Sequence, residues 1–126
     1  MNSTQKSLVL KELGDLSRLG LAQQKNGEEI IFENSHIKIS IDYFKSGDEK
    51  SFLISIKKKG ENSSYFFHEY LDFIDHGDYK NLKGEDDYKY ISRHLKLFLQ
   101  FLNGDLKKVV EGKHWIVVPR DYGSYK

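Results

Sequence analysis

The stretch Ile37-Lys38-Ile39-Ser40-Ile41-Asp42-Tyr43 decides the fold. Large apolar side chains stand at every second position with polar ones between them. A repeat of two puts one set on a dry face and the other on a wet face of a single β-strand. The β-branched isoleucines suit a pleated backbone. Such a strand cannot stand alone, because its backbone groups need partners and its apolar face needs a cover.

Both neighbours supply partners. Upstream, Glu29 to Glu33 is a short apolar run joined to the strand through Asn34-Ser35. Downstream, Lys45-Ser46-Gly47-Asp48-Glu49 is rich in turn residues and leads to Phe52, Ile54 and Ile56, which alternate with Leu53, Ser55 and Lys57. A second hairpin loop, Lys59-Gly60-Glu61-Asn62, precedes Tyr65-Phe66-Phe67. The expectation is an antiparallel meander of about four strands with one apolar face. Residues 67–83 fit two patterns. Phe67, Tyr70, Leu71 and Ile74 have helical spacing, whereas Phe67, Leu71 and Phe73 with Glu69 and Asp72 between them fit an extended chain. The reading favoured is a strand that runs on from Tyr65 and fades into a loop at His76-Gly77-Asp78.

The cover is expected from helices. Leu8, Leu13, Leu16 and Leu19 give Thr4 to Gln24 a helical stripe, with Ser3 or Thr4 as cap and Gly14 as a weak point. From Asp86 to Leu102, Tyr88, Ile91, Leu95, Phe98 and Leu102 recur at steps of three and four, widened by Leu99 and Phe101. Asn103-Gly104 stops that helix, Asp105 is placed to cap a short one through Val110, and Gly112 ends it. Trp115 to Val118 reads as a final extended segment, with Trp115 packed in the core. The fold class is therefore α+β, an antiparallel meander covered by an N-terminal helix and a long C-terminal helix. One domain over 1–126 is expected, with 120–126 a fraying tail.

Composition narrows the function classes. The 126 residues hold no cysteine, so disulfides, thiolate metal sites and Cys nucleophiles are excluded. The formal net charge is +1, which gives no global attraction to nucleic acid or an anionic membrane. Leu8-Val9-Leu10 is cut short by Lys11 and Glu12, so neither an export signal nor a membrane span is expected, and the compartment expected is cytoplasmic.

Charge is nevertheless segregated along the chain. From Glu61 to Asp87 eight acids face two lysines, whereas from Tyr88 to Lys126 eight bases face three acids. Carboxylates interleaved with Tyr65, Phe66, Tyr70, Tyr79 and Tyr88 suit a basic protein partner, because charge steers encounter and tyrosines add contact area. The plainer reading is a solvated loop with Glu85-Asp86-Asp87 at a helix N-terminus, where acids favour the dipole. The expected contact residues are Glu69, Tyr70, Asp72, Asp75, Asp78 and Tyr79, with Glu85, Asp86 and Asp87 as steering charges.

Chemistry-bearing patterns are weaker. His68, Asp72 and Asp75 would share one face of a helix, but an H-E-x-x-H motif fails because Asp stands at 72, and no EF-hand loop is present. His36, His94 and His114 are scattered, and the serines lack a G-x-S-x-G setting. Gly112-Lys113-His114 lacks the rest of a phosphate loop. Lys57-Lys58-Lys59 is the one basic run, and at a strand end it more naturally keeps an edge soluble than contacts single-stranded nucleic acid. No enzyme activity, cofactor or metal is expected. The alternatives kept are a metal-dependent or hydrolytic enzyme using His68 or His76, and a self-associating domain with Ile37, Ile39 and Phe52 in a subunit interface.

A leading helix, a meander of short aromatic-rich strands, a Leu/Phe-rich helix ending at Gly104-Asp105 and a terminal Trp segment together resemble small bacterial immunity proteins of polymorphic-toxin and contact-dependent inhibition systems, the overlap covering Glu29 to Val118. The resemblance implies a cytoplasmic, non-catalytic inhibitor that binds and neutralises a basic toxin domain, often a nuclease, through an acidic and aromatic surface.

Overall fold

The computed structural model describes residues 1–26, 29–46, 49–74 and 85–118. Five strands pair in sequence order, all antiparallel: β1 (Ala22–Asn26), β2 (Glu29–Glu33), β3 (Ile37–Ser46), β4 (Glu49–Lys58) and β5 (Ser64–Phe66). Helix α1 (Ser3–Glu12) precedes the sheet, and α2 (Phe67–Phe73), α3 (Asp87–Leu102) and α4 (Lys107–Val110) follow it. The α+β meander is as the alternating pattern requires, with one strand more than expected.

Register places the apolar residues in rows. Phe32 pairs with Ile39, Ile39 with Ile56 and Ile56 with Tyr65, so one row crosses four strands. A second row joins Ile30, Ile41 and Ile54. All are buried in one cluster with Ile91, Leu95, Phe98 and Leu102 of α3 and Val9 and Leu13 from the N-terminal segment. Each large aliphatic side chain taken from water in this way contributes about 1.5–3 kcal/mol. The opposite rows carry Gln24, Ser40, Asp42 and Ser55, with Ile31, Leu53 and Phe66 as apolar residues on that mostly polar face.

The N-terminal segment departs from the expected helix over 4–24. Helix α1 ends at Glu12, a 3-10 turn covers Gly14–Leu19, and Gly20 closes it at φ 76°. Only glycine takes that left-handed conformation without strain. The cap is Asn2, whose Oδ1 accepts from the Gln5 N–H while the Gln5 side chain accepts from the Asn2 N–H, instead of Ser3 or Thr4. The chain then forms β1, Ala-Gln-Gln-Lys-Asn, which pairs with β2 through its backbone and has no apolar alternation. An edge strand of polar residues stays soluble, and for that reason hydrophobic patterning does not find it.

The second departure is at residues 67–73, which form α2 where a strand was favoured. Helical spacing buries Phe67, Tyr70 and Leu71 together, whereas an extended chain would bring Phe73 onto their side, and Phe73 is 38% exposed. The Phe67 ring sits against Phe98 at 5.0 Å, with His94, Phe101 and Tyr70 around it. In α3 the cap is Asp86, accepting from the Lys89 N–H at 2.9 Å, and Tyr90 takes the buried place assigned to Tyr88. Leu106, not Asp105, precedes α4, and Gly112 follows it at φ 73°. Trp115 is partly buried, its ring 5.1 Å from that of Tyr65. The expected tail at 120–126 lies outside the described residues.

Because Phe67 joins sheet and helices, its truncation is expected to be severe. Phe67→Ala should cost about 3–5 kcal/mol and Phe67→Leu markedly less, read by chemical denaturation. A loss below about 1 kcal/mol for the alanine variant would contradict this packing.

Candidate functional site

Helix α2 presents two faces. Phe67, Tyr70 and Leu71 point into the core, and the 100° step per residue puts Glu69, Asp72 and Phe73 on the outward side with His68. Phe66 at the helix entrance is 37% exposed and its ring stacks on His68 at 5.4 Å. Ile74 at the exit is 38% exposed. The result is a short helix with two carboxylates set between exposed apolar side chains at both ends.

The carboxylates have local duties as well. Glu69 accepts from the Phe66 N–H at 2.8 Å, which satisfies one of the free donors at the start of α2. Glu85 makes a two-pronged pair with Arg93, both contacts at 2.9 Å, with its own side chain only 9% exposed. Asp86 is exposed and caps α3. Asp87 lies near the Tyr43 hydroxyl. Burial first, and then that carboxylate, push the Tyr43 phenol up to about 12.

The structure therefore divides the expected contact set. Glu69 and Asp72 on α2 are half-buried. Tyr70 does not serve as a contact residue: it is 2% exposed, against Phe67 and Phe101, because it lies on the helix stripe that faces α3. Burial and the nearby Asp105 charge raise its phenol above the usual range. Tyr65 is likewise buried. Glu85 is a poor steering charge, since Arg93 neutralises it. Asp75, Asp78 and Tyr79, and His76 of the enzyme alternative, lie outside the described residues.

Among the described residues the two acidic groups lie at different positions along α3. Helix α2 packs on α3 at His94, Phe98 and Phe101, whereas Asp86 and Asp87 sit at its start. The contacts run from seven to fourteen residues of helix beyond Asp87, about 10 to 21 Å along the axis. Phe73 and Ile74 were not singled out from sequence. The only available signal was that Phe73 falls off the Phe67-Tyr70-Leu71 stripe once the segment is read as a helix.

Among the described residues no group of three or more His, Asp or Glu side chains could hold a metal ion. His94 is buried against the rings of Phe52, Phe67 and Tyr90, a core residue by position. Ile37, Ile39 and Phe52 are spent inside the chain's own core, so they cannot build a subunit interface. No described helix is long and apolar enough to cross a membrane.

The raised Tyr43 phenol makes a pH prediction. A folded-state value above the unfolded one near 10 contributes stability that is complete below pH 10 and is lost as pH rises through about 12. Ultraviolet difference titration should find this late-titrating tyrosine. In Asp87→Asn it should titrate earlier yet still above a free tyrosine, because burial is the larger cause. An unchanged titration in the variant would disprove the Asp87 contribution.

No family model matches the chain, and no curated protein or solved structure matches it.

Proposed function

We propose that this chain is a non-catalytic protein-binding module that uses the outward face of α2, most concretely an immunity-type inhibitor of a basic toxin domain. The observation that carries the reading is the interleaving of Glu69 and Asp72 with exposed Phe66, Phe73 and Ile74 on one short helix. Exposed aromatic and aliphatic groups give up water on contact, and carboxylates among them select a basic partner and speed its approach. The other acids expected to act join this surface less directly. Asp86 and Asp87 lie at the far end of α3 and add to the long-range field only. The segregation of charge along the sequence and the layout resemblance to immunity proteins point the same way. A cytoplasmic location belongs to this reading.

The test uses the full chain as bait beside an Asp72→Lys, Phe73→Ser variant, with both surfaces outside the core so that folding is preserved. The parent should retain a basic protein whose affinity falls steeply with salt. The variant should bind it at least about tenfold more weakly, since a desolvated aromatic and a charge are lost together. Equal retention of that protein by both baits would remove α2 as the contact surface.

A further inference from the structure

We infer that the groove between the β2–β3 turn and the loop after α4 is a binding site for a phosphate-class oxyanion. It is an open groove of about 270 Å³, lined by Ser35, His36, Lys58, Lys59, Lys113 and His114 together with Ile37 and Val109. Among the described residues no carboxylate is part of its lining, although each of the three lysines pairs with one beside it. Three segments far apart in sequence converge there, and every polar side chain they contribute can donate a hydrogen bond. That inventory fits a small, multiply charged acceptor with several oxygens.

The walls are built, not incidental. Asn34 Nδ2 donates to the Val110 carbonyl at 2.8 Å, while its Oδ1 accepts from the N–H groups of His36 and Ile37 at 2.8 and 2.9 Å. One side chain thus shapes the β2–β3 turn and ties it to the end of α4. The Lys59 N–H donates to the His36 carbonyl at 3.0 Å, which fixes the lysine run to the same turn. The His36 ring lies on the backbone of Gly112, where a Cβ would overlap it, and the φ of 73° there also calls for glycine. Beyond Gly112, the N–H groups of Lys113 and His114 both donate to the Lys108 carbonyl, so the loop that carries them is held.

The three ammonium groups each have a carboxylate outside the groove: Glu61 for Lys58 at 3.1 Å, Glu33 for Lys59 at 2.9 Å and Glu111 for Lys113 at 3.9 Å. The Lys113 pair is long and the Lys58 pair exposed, whereas Glu33 is held to Lys59 by a short bond that lowers its carboxyl below the usual range. An ammonium has three donors, so one carboxylate leaves two for an anion. Trp115 also lines the groove and offers an aromatic face beside the lysines. None of these residues belongs to the α2 surface proposed above, so the two readings stand or fall separately.

The test is titration of the isotopically labelled full chain with inorganic pyrophosphate, followed by amide NMR, with sodium chloride at matched ionic strength as control. Saturable shifts are expected at Ser35, His36, Lys59 and Gly112 to His114, and not with chloride. Lys59→Gln with Lys113→Gln should weaken pyrophosphate at least about tenfold, because each charge-assisted bond contributes about that factor. If that variant loses its dispersed spectrum, Lys58→Gln with Lys113→Gln carries the same test. A parallel arm uses short single-stranded oligothymidylates: affinity that grows with length assigns the phosphate to a nucleic-acid backbone, and no gain over pyrophosphate assigns it to a small molecule. Shifts that scale with ionic strength and never saturate, or pyrophosphate binding unchanged in the folded double variant, would overturn the assignment.

Discussion

One constraint governs this molecule: the apolar face of the β3–β4 hairpin must be roofed, and α3 is the roof. Phe67 is the joint that makes the roof fit. It is the first residue after a strand of only three, it is fully buried, and its ring meets α3 at His94, Phe98 and Phe101. Edge-to-face contacts of this kind add to the burial energy and fix an angle as well as a distance. A continued strand would keep Phe67 on the Tyr65 face but put Glu69 there too and turn Tyr70 to the opposite side. The turn into α2 instead buries Tyr70 and Leu71 beside Phe67.

The same constraint determines what is left for function. Turning residues 67–73 into a helix draws Tyr70 and Leu71 inward with Phe67 and pushes Glu69, Asp72 and Phe73 outward. A tyrosine-rich surface becomes one built on phenylalanine and isoleucine, with tyrosines beneath it. Acids near helix starts are then partly committed: Glu69 and Asp86 satisfy backbone donors, and Glu85 satisfies Arg93. Such duties do not remove the charge of Glu69 or Asp86 from the surface, because a cap accepts one hydrogen bond and leaves the carboxylate ionised. Glu85 is different, since its partner is a cation.

Much of the fold was legible because period-two alternation in β3 and β4 and the three-four stripe of α3 are long enough to be unambiguous. Three elements were not, each for a physical reason. Strand β1 is polar after Ala22 and pairs through its backbone, so no apolar alternation records it. Helix α2 spans seven residues, about two turns, and over that length both periods place Phe67 and Leu71 together. The N-terminal leucines continue past Gly14 with near-helical spacing, yet the backbone tightens into a 3-10 turn that Gly20 ends. The candidate site was legible as residue types and not as a surface, because which carboxylates face outward depended on the one segment whose period was undecided.

The basic groove shows the opposite failure of one-dimensional reading. Lys57-Lys58-Lys59 alone is well explained as an edge solubiliser, Gly112-Lys113-His114 alone as a fragment of nothing, and His36 alone as a turn residue. Asn34 changes that by tying the turn to α4, which brings Lys58 and Lys59 to the same wall as Lys113 and His114. A formal charge of +1 argued against anionic ligands for the molecule as a whole. But a ligand responds to the charges within a Debye length, about 8 Å at physiological salt, and not to the sum over the chain. A balanced total is therefore compatible with an acidic helix face and, elsewhere on the same small domain, a groove whose three lysines each keep one carboxylate partner and have further donors to offer. Near-neutral composition excludes only a uniform field.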